Sequence, residues 1–184
     1  MTMSARDQMQ YVKVVMILCS SFFAYGSFWS DWSFDYYFLW ANLSEHPNAV
    51  SRATLYYTNQ LHAPNIIKYI PFANLMIAAV GFAAGLANMT DGNILFDGAS
   101  LVLMLFALST YASSVRPAMK IISETVDEKE IISSLKNIAA AHFIIVLAIT
   151  GIIGLQITYY IVTKRADNAE LAALKKEAEV KKTN

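Results

Sequence analysis

The residues of this chain best able to do acid–base or metal chemistry are three histidines and one aspartate in an apolar stretch. His46, His62 and His142 lie far apart, and no His-x-x-x-His or His-Glu-x-x-His pattern places iron or zinc ligands on one helix face. We interpret His142, near the start of the last apolar stretch, as a capping or interface residue. Paired carboxylates at helical spacing are also missing from the predicted spans, so the sequence predicts no catalytic residue, metal site or cofactor.

Asp97 is the most conspicuous charge at a membrane position. It stands near the start of an apolar stretch, where a charge costs less than the roughly 2.5–3.5 kcal/mol expected at the bilayer centre. One interpretation is structural, with the carboxylate completing the turn after Gly92. The other is functional, a polar contact with a client or partner helix. A transporter would carry more polar residues in its spans and an internal repeat, and neither is evident.

The composition is that of an integral membrane protein. Hydrophobic residues make up 56% of the chain and charged residues 15%, and the mean hydropathy is +0.40, which is too apolar for an ordinary soluble domain of this length. The net charge is zero and no basic patch is interleaved with aromatic residues, so nucleic acid is not expected as a partner. A single cysteine, Cys19, allows no disulfide within the chain.

Long uncharged stretches predict an all-α membrane protein with four transmembrane helices. We expect spans at residues 12–29, 66–87, 94–115 and 138–162, forming one transmembrane domain over residues 1–163. Residues 30–65 and 116–137 are expected to be loops, and residues 164–184 a charged tail that is either a solvated helix or disordered. We interpret the first span as a retained signal anchor, because aromatic residues follow it and not a small-residue cleavage site.

Several local patterns refine this plan. The aromatic string at residues 32–40 is typical of an interfacial belt, and residues 51–61 predict a short amphipathic helix. Gly81 and Gly85 have the small-xxx-small spacing that lets another helix approach closely. A brief turn at residues 88–93 makes the second and third spans antiparallel neighbours, and acidic residues at 127–130 predict a helix start.

Basic residues favour both termini in the cytosol. Arg6, Lys13, Lys164, Arg165 and four lysines of the tail are eight of the fourteen basic residues, and cytoplasmic segments carry the excess of such residues. In this orientation the first loop is lumenal, where Asn42 begins an Asn-Leu-Ser sequon and is a candidate glycosylation site. Lys181 and Lys182 then form a cytosolic dilysine end, as in signals that return membrane proteins to the endoplasmic reticulum. Solvated charge is the alternative interpretation of those two lysines.

The chain resembles the fungal endoplasmic-reticulum packaging chaperones for amino-acid permeases, a family of four-span membrane proteins. The similarity runs from the first span to the end of the fourth. Its most specific part is an aromatic-Asp-Tyr signature just past the first span. The residues that carry the resemblance are Phe34, Asp35, Tyr36, Leu39, Tyr57, Leu61, Pro64, Leu95, Phe96, Asp97, Ser100, Leu101, Gly154, Leu155 and Gln156. An aromatic pair at Tyr36 and Tyr37 and a short tail depart from the family pattern.

The resemblance implies a non-enzymatic chaperone, a multi-pass protein of the endoplasmic-reticulum membrane. It would hold newly made amino-acid permeases, prevent their aggregation and promote their packaging into COPII vesicles. Its partners would be those permeases, the lipid bilayer and, through the tail, COPII and COPI coat components. We expect client or partner contacts at Phe34, Asp35, Tyr36, Tyr37, Gly81, Gly85 and Asp97. The alternatives are a constitutive structural subunit of an endoplasmic-reticulum membrane complex and a small lipid-modifying enzyme that depends on Asp97 or His142.

Overall fold

The computed structural model describes the backbone of residues 5–87 and 91–183 and the side chains of residues 8–85 and 94–176. This part of the chain contains six α-helices and no strand. They are α1 (Ala5–Leu39), α2 (Ala49–Leu61), α3 (Asn65–Ala87), α4 (Asp91–Thr110), α5 (Arg116–Glu124) and α6 (Glu128–Thr183). Four segments are long and apolar enough to cross a membrane, namely Gln8–Leu39, Asn65–Gly85, Ile94–Glu124 and Glu128–Lys176. The predictions of an all-helical chain and of four such helices are therefore confirmed.

The first helix continues through the aromatic string, which lies in the predicted loop at residues 30–65. It ends at Leu39 and not near residue 29, because residues 27–39 contain no glycine or proline and the buried residues continue at helical spacing. Asp31, Asp35 and Phe38 lie on this buried face. The predicted loop at residues 30–65 is thus mostly helical, and α2 confirms the amphipathic helix expected at residues 51–61.

The third predicted span also continues past its expected end. A π-helical turn, Tyr111–Val115, joins α4 directly to α5, and the Arg116 backbone N–H donates to the Tyr111 carbonyl. Pro117 has no N–H and its ring would clash with a carbonyl one turn earlier, so the extra residue of a π turn lets the helix continue. Only residues 125–127 are non-helical before α6, which corrects the predicted loop at residues 116–137.

The predicted helix start near residue 127 is confirmed. The Asp127 carboxylate accepts a hydrogen bond from the Lys129 backbone N–H at 3.0 Å, and α6 begins at Glu128. From there α6 runs without a break to Thr183. The tail is therefore a continuation of α6, and its described side chains beyond Lys164 are exposed, so of the two expectations for the tail the solvated helix is confirmed.

The long helices form an antiparallel bundle. α1 packs against α3 and α6, and α4 packs against α6. One apolar core joins the second half of α1 to α2, α5 and the first half of α6, around Tyr57, Met119 and Leu135. A second core joins the four long helices nearer the chain termini, around Ile17 and Phe82.

The first half of α3 has few partners within the chain. All residues from 65 to 73 are exposed, including Ile66, Tyr69 and Phe72. Packing begins near Asn74, whose side-chain amide donates to the Ser20 carbonyl at 3.0 Å, while the Ser20 hydroxyl donates to the Asn74 carbonyl at 2.8 Å. The first half of α3 thus places an apolar segment on the outside of the bundle.

Candidate functional site

Two buried polar clusters hold the helices together, and the first surrounds Asp97. Lys13 Nζ of α1 lies 2.8 Å from Asp97 Oδ2 of α4, and both side chains are almost completely buried. Gln156 of α6 donates through Nε2 to Asp97 Oδ1 and to Ser100 Oγ, both at 3.1 Å. The Lys13 ammonium also lies 4.0 Å from the centre of the Tyr159 ring. We call Lys13, Asp97, Ser100 and Gln156 the Asp97 cluster.

The Asp97 cluster needs a glycine on α3. A Cβ atom added to Gly85 would lie 2.2 Å from Asp97 Oδ2 and 2.8 Å from Lys13 Cδ, so only a residue without a side chain lets the ion pair fit. A Cβ on Gly81 would lie 2.9 Å from Ile17 Cγ1 and 3.4 Å from the Lys13 carbonyl oxygen. The small residues Gly81 and Gly85 of α3 therefore pack against α1 of the same chain.

The second cluster surrounds Asp35 at the other end of α1. His142 Nδ1 of α6 lies 2.7 Å from Asp35 Oδ2 and 3.9 Å from Asp31 Oδ2. The Tyr57 hydroxyl of α2 donates to Asp35 Oδ1 at 2.5 Å, and the Tyr56 hydroxyl donates to Asp31 Oδ1 at 2.7 Å. We call Asp31, Asp35, Tyr56, Tyr57 and His142 the Asp35 cluster. The hydrogen bonds of this cluster connect α2 to the long helices α1 and α6.

The two tyrosines of the Asp35 cluster act as hydrogen-bond donors. Burial is the main cause that raises the pKa of the Tyr57 phenol far above its usual value, and the neighbouring Asp35 carboxylate adds to the rise. Burial also raises the pKa of Tyr56, with Asp31 as its hydrogen-bond partner. Both phenols therefore stay protonated at physiological pH and can satisfy the two carboxylates.

The two clusters are separated by a distance close to the thickness of the bilayer. Lys13 and Asp31 are 18 positions apart on one continuous helix, which corresponds to about 27 Å along its axis. The hydrocarbon core of a bilayer is about 30 Å thick. Each cluster would thus lie near one membrane face, where burying charged groups costs less than at the centre.

The aromatic string is divided between two faces of α1. Phe34 stacks on the Tyr56 ring with centroids 4.1 Å apart, and Tyr37 contacts the His46 ring at 4.9 Å, so both face the α2 side. Tyr36 faces outward and is 47% exposed. Trp29, Trp32, Tyr36 and Trp40 follow one stripe of the helix, and we call them the aromatic face. Trp29 is 73% and Trp40 50% exposed.

The remaining predicted positions fall at or beyond the edges of these clusters. Asn42 is exposed and caps a short 3₁₀ turn, with its Oδ1 accepting from the Ser44 backbone N–H at 3.3 Å. The side chains of Lys181 and Lys182 lie outside the described residues, as does the backbone of residues 88–90 in the predicted turn. Asp97 and His142 are 0% and 3% exposed, so both lie inside the bundle.

Sequence reasoning missed the partners in both clusters. Lys13 was interpreted only as a charge flanking the first span, although its ammonium is buried. Asp31 and Asp35 stand four residues apart, a spacing that signals one helix face once the helix is known to continue. Gln156, a polar residue towards the end of the last predicted span, is the signal on α6 for the Asp97 cluster.

Comparison with known proteins gives one match. The model of the SHR3 chaperone family, described as ER membrane protein SH3, matches residues 8–184. The matched region contains all four candidate spans and both polar clusters. It confirms the family resemblance seen in the sequence. No match is found among the curated proteins or among the solved structures.

Proposed function

The chain belongs to the SHR3 chaperone family of endoplasmic-reticulum membrane proteins, and we propose that it assists the folding and exit of newly made amino-acid permeases. In this role it binds a permease before the permease helices have closed into a bundle, prevents aggregation and promotes loading into COPII vesicles. The chaperone itself carries out no chemical step on its client.

The observation that carries this proposal is the contrast between the inside and the outside of the bundle. In the described part of the chain, the ionisable side chains buried between the helices have polar partners inside the bundle. Lys13 pairs with Asp97, His142 contacts Asp35, and the Tyr56 hydroxyl donates to Asp31. The outer faces of the long helices are apolar, and the first half of α3 contacts little of its own chain. Such a surface suits lateral contact with other membrane helices, where packing and not charge drives association.

We assign the client contact to the aromatic face. Among the residues expected to touch clients, Tyr36 points outward, whereas Gly81, Gly85, Asp35 and Asp97 are used to assemble the bundle itself. Trp29 and Trp40 extend the exposed stripe around Tyr36. Tryptophan and tyrosine combine a large apolar ring with a polar group, which suits contacts with helix ends at the membrane surface.

We further propose that both chain ends face the cytosol. The start of α1 and the second half of α6 lie at the same end of the bundle, because Gln10 accepts a hydrogen bond from the Tyr159 hydroxyl. The excess of basic residues at the chain ends then favours the cytosolic side. In this orientation Lys181 and Lys182 are available to the COPI coat for retrieval, the tail to COPII, and Asn42 to lumenal glycosylation.

Deletion followed by complementation tests the proposal. Cells lacking the chain are expected to accumulate aggregated amino-acid permeases in the endoplasmic reticulum and to lose amino-acid uptake, while membrane proteins of other classes reach their destinations. Re-expression of the normal chain restores delivery. The double variant Tyr36→Ala/Trp40→Ala, which changes only exposed side chains, restores it poorly, whereas Leu55→Ala on the exposed side of α2 restores it fully. Normal permease delivery in the deletion cells would contradict the proposal.

A further inference from the structure

A pocket of about 330 Å³ opens between α1 and α6 at the end of the bundle where both chain ends lie. This volume falls within the range of about 300–1,000 Å³ that is typical of small-molecule sites. Its lining includes Gln10, Tyr11 and Val14 of α1 and Tyr160, Lys164 and Asp167 of α6. The pocket is separate from the aromatic face, which lies towards the opposite end of α1.

The pocket contains one cation and one anion that do not pair with each other. Lys164 and Asp167 lie about one turn apart on the same face of α6, a rise of about 4.5 Å. Neither has a salt-bridge partner among the described side chains. Lys164 Nζ instead lies 3.4 Å from the Tyr160 hydroxyl and 5.5 Å from the centre of the Tyr160 ring. As far as the described side chains show, both charges are therefore available to a ligand that carries the opposite pair.

The position of the pocket matches the headgroup level of a bilayer. The apolar part of α6 ends at Lys164, and the exposed Tyr11 ring of α1 lines the same pocket. Val14 lies deeper in the membrane, and exposed apolar residues of α1 such as Val15 continue below it. A ligand could thus place a charged group in the pocket and hydrocarbon along the helices beneath it.

We propose that this pocket binds the headgroup of a zwitterionic glycerophospholipid, of the phosphatidylcholine or phosphatidylethanolamine class. Lys164 pairs with the phosphate, and Asp167 pairs with the ammonium group. The exposed Tyr11 ring supplies an aromatic face that attracts the same ammonium. The phosphate and the ammonium of such a lipid are joined by a two-carbon linker, a separation similar to that of the two side chains along α6.

The charge pattern distinguishes this ligand from other lipids. A net-anionic headgroup such as phosphatidylglycerol satisfies Lys164 but leaves Asp167 unpaired next to a like charge, which is unfavourable. Diacylglycerol carries neither charge and leaves both residues unpaired. The pocket is therefore expected to select for a headgroup with both charges and not for acyl chains alone.

Native mass spectrometry of the purified full chain with single defined lipids tests the proposal. We expect phosphatidylcholine and phosphatidylethanolamine to be retained at least about fivefold more than phosphatidylglycerol or diacylglycerol with the same acyl chains. Lys164→Ala lowers this retention at least about fivefold, and Asp167→Asn abolishes the preference over phosphatidylglycerol. Lys175→Ala, an exposed position on the same helix outside the pocket, leaves both unchanged.

A second measurement locates the lipid. A photoactivatable phosphatidylcholine is expected to label peptides of α1 around residues 10–14 and of α6 around residues 159–167. The proposal would be overturned by equal retention of all four lipids or by labelling confined to other helices. It would also be overturned if Lys164→Ala lowered retention no more than Lys175→Ala does. Displacement of the lipid by soluble phosphocholine at equal concentration would show a site for a free zwitterion, and recovery of a protein segment in place of lipid would show a client site. Either result would also overturn it.

Discussion

Replacing Gly85 by alanine is the smallest change that tests whether the Asp97 cluster organises the bundle. The new Cβ would lie 2.2 Å from Asp97 Oδ2, and that carboxylate is completely buried against Lys13. One of the charged groups must move, so the substitution overpacks the site and breaks polar contacts at the same time. Overpacking costs about 1–3 kcal/mol, and a lost polar contact between membrane helices about 0.6–1.7 kcal/mol. We therefore expect the free energy of unfolding to fall by about 2–4 kcal/mol.

Gly98 provides the matched control for this change. It directly follows Asp97 on α4, and a Cβ added there meets nothing within 4 Å. Gly98→Ala is expected to leave the free energy of unfolding unchanged or to raise it by up to about 1 kcal/mol, because alanine is the better helix former. The assay is reversible unfolding of the purified variants in mixed micelles, measured under the same conditions.

A double substitution identifies the clash as the cause. In the background Lys13→Ala/Asp97→Ala, the side-chain atoms that a Cβ at position 85 would meet are removed, so adding Gly85→Ala should cost less than about 1 kcal/mol. Equal stability of Gly85→Ala and Gly98→Ala, or an undiminished cost of Gly85→Ala in that background, would refute the account of the Asp97 cluster.

Three further predictions concern α1 and the Asp35 cluster. Asp35→Ala leaves the buried Tyr57 hydroxyl and His142 without their partner and should lower the free energy of unfolding by about 2–4 kcal/mol. The control Tyr36→Ala, at the exposed neighbouring position, should change it by less than about 0.5 kcal/mol. Equal losses in the two variants would contradict the role of Asp35 in the Asp35 cluster. Because the Tyr57 pKa is raised, its hydroxyl contributes stability that is present below the ordinary pKa of about 10 and lost as the pH rises through the folded value. The stability difference between the normal chain and Tyr57→Phe, about 1 kcal/mol, should therefore stay constant from about pH 6 to 9, and a decline within that window would count against it. Cys19, exposed in the middle of α1, should resist a membrane-impermeant maleimide in sealed vesicles and react after detergent denaturation. As the control, a cysteine introduced by Ser44→Cys in a Cys19→Ser chain should react in vesicles opened to both sides. Labelling of Cys19 in intact vesicles would show that α1 is not in the bilayer.

The sequence predicts the four long apolar helices well, because hydropathy over about 20 residues depends only on the local chain. It places their ends poorly. The polar residues around Asp31 and Asp35 lower the hydropathy of the second half of α1, although their spacing continues one helix face. The third span is predicted to end at residue 115, whereas a π turn just before Pro117 allows α4 to continue into α5.

The polar clusters could not be predicted because their members are far apart in the chain. Lys13 and Asp97 are separated by 84 positions, and His142 and Asp35 by 107. Each residue alone has an ordinary interpretation as a flanking charge or a helix cap. The Gly81 and Gly85 spacing correctly indicates a close helix approach, but a single sequence does not reveal whether the approaching helix belongs to a client or, as here, to α1 of the same chain.

Site-specific crosslinking during permease synthesis tests the central claim most directly. A photoreactive residue replaces Tyr36 on the aromatic face or, as the control, Leu55 on the exposed side of α2, and crosslinks are collected during a pulse and a chase. The chaperone account predicts that the Tyr36 position captures newly made amino-acid permeases during the pulse, that the signal disappears as they leave the endoplasmic reticulum, and that the Leu55 position captures few. A constant crosslink to one fixed partner, persisting when no permease is being made, would contradict it and indicate a structural subunit.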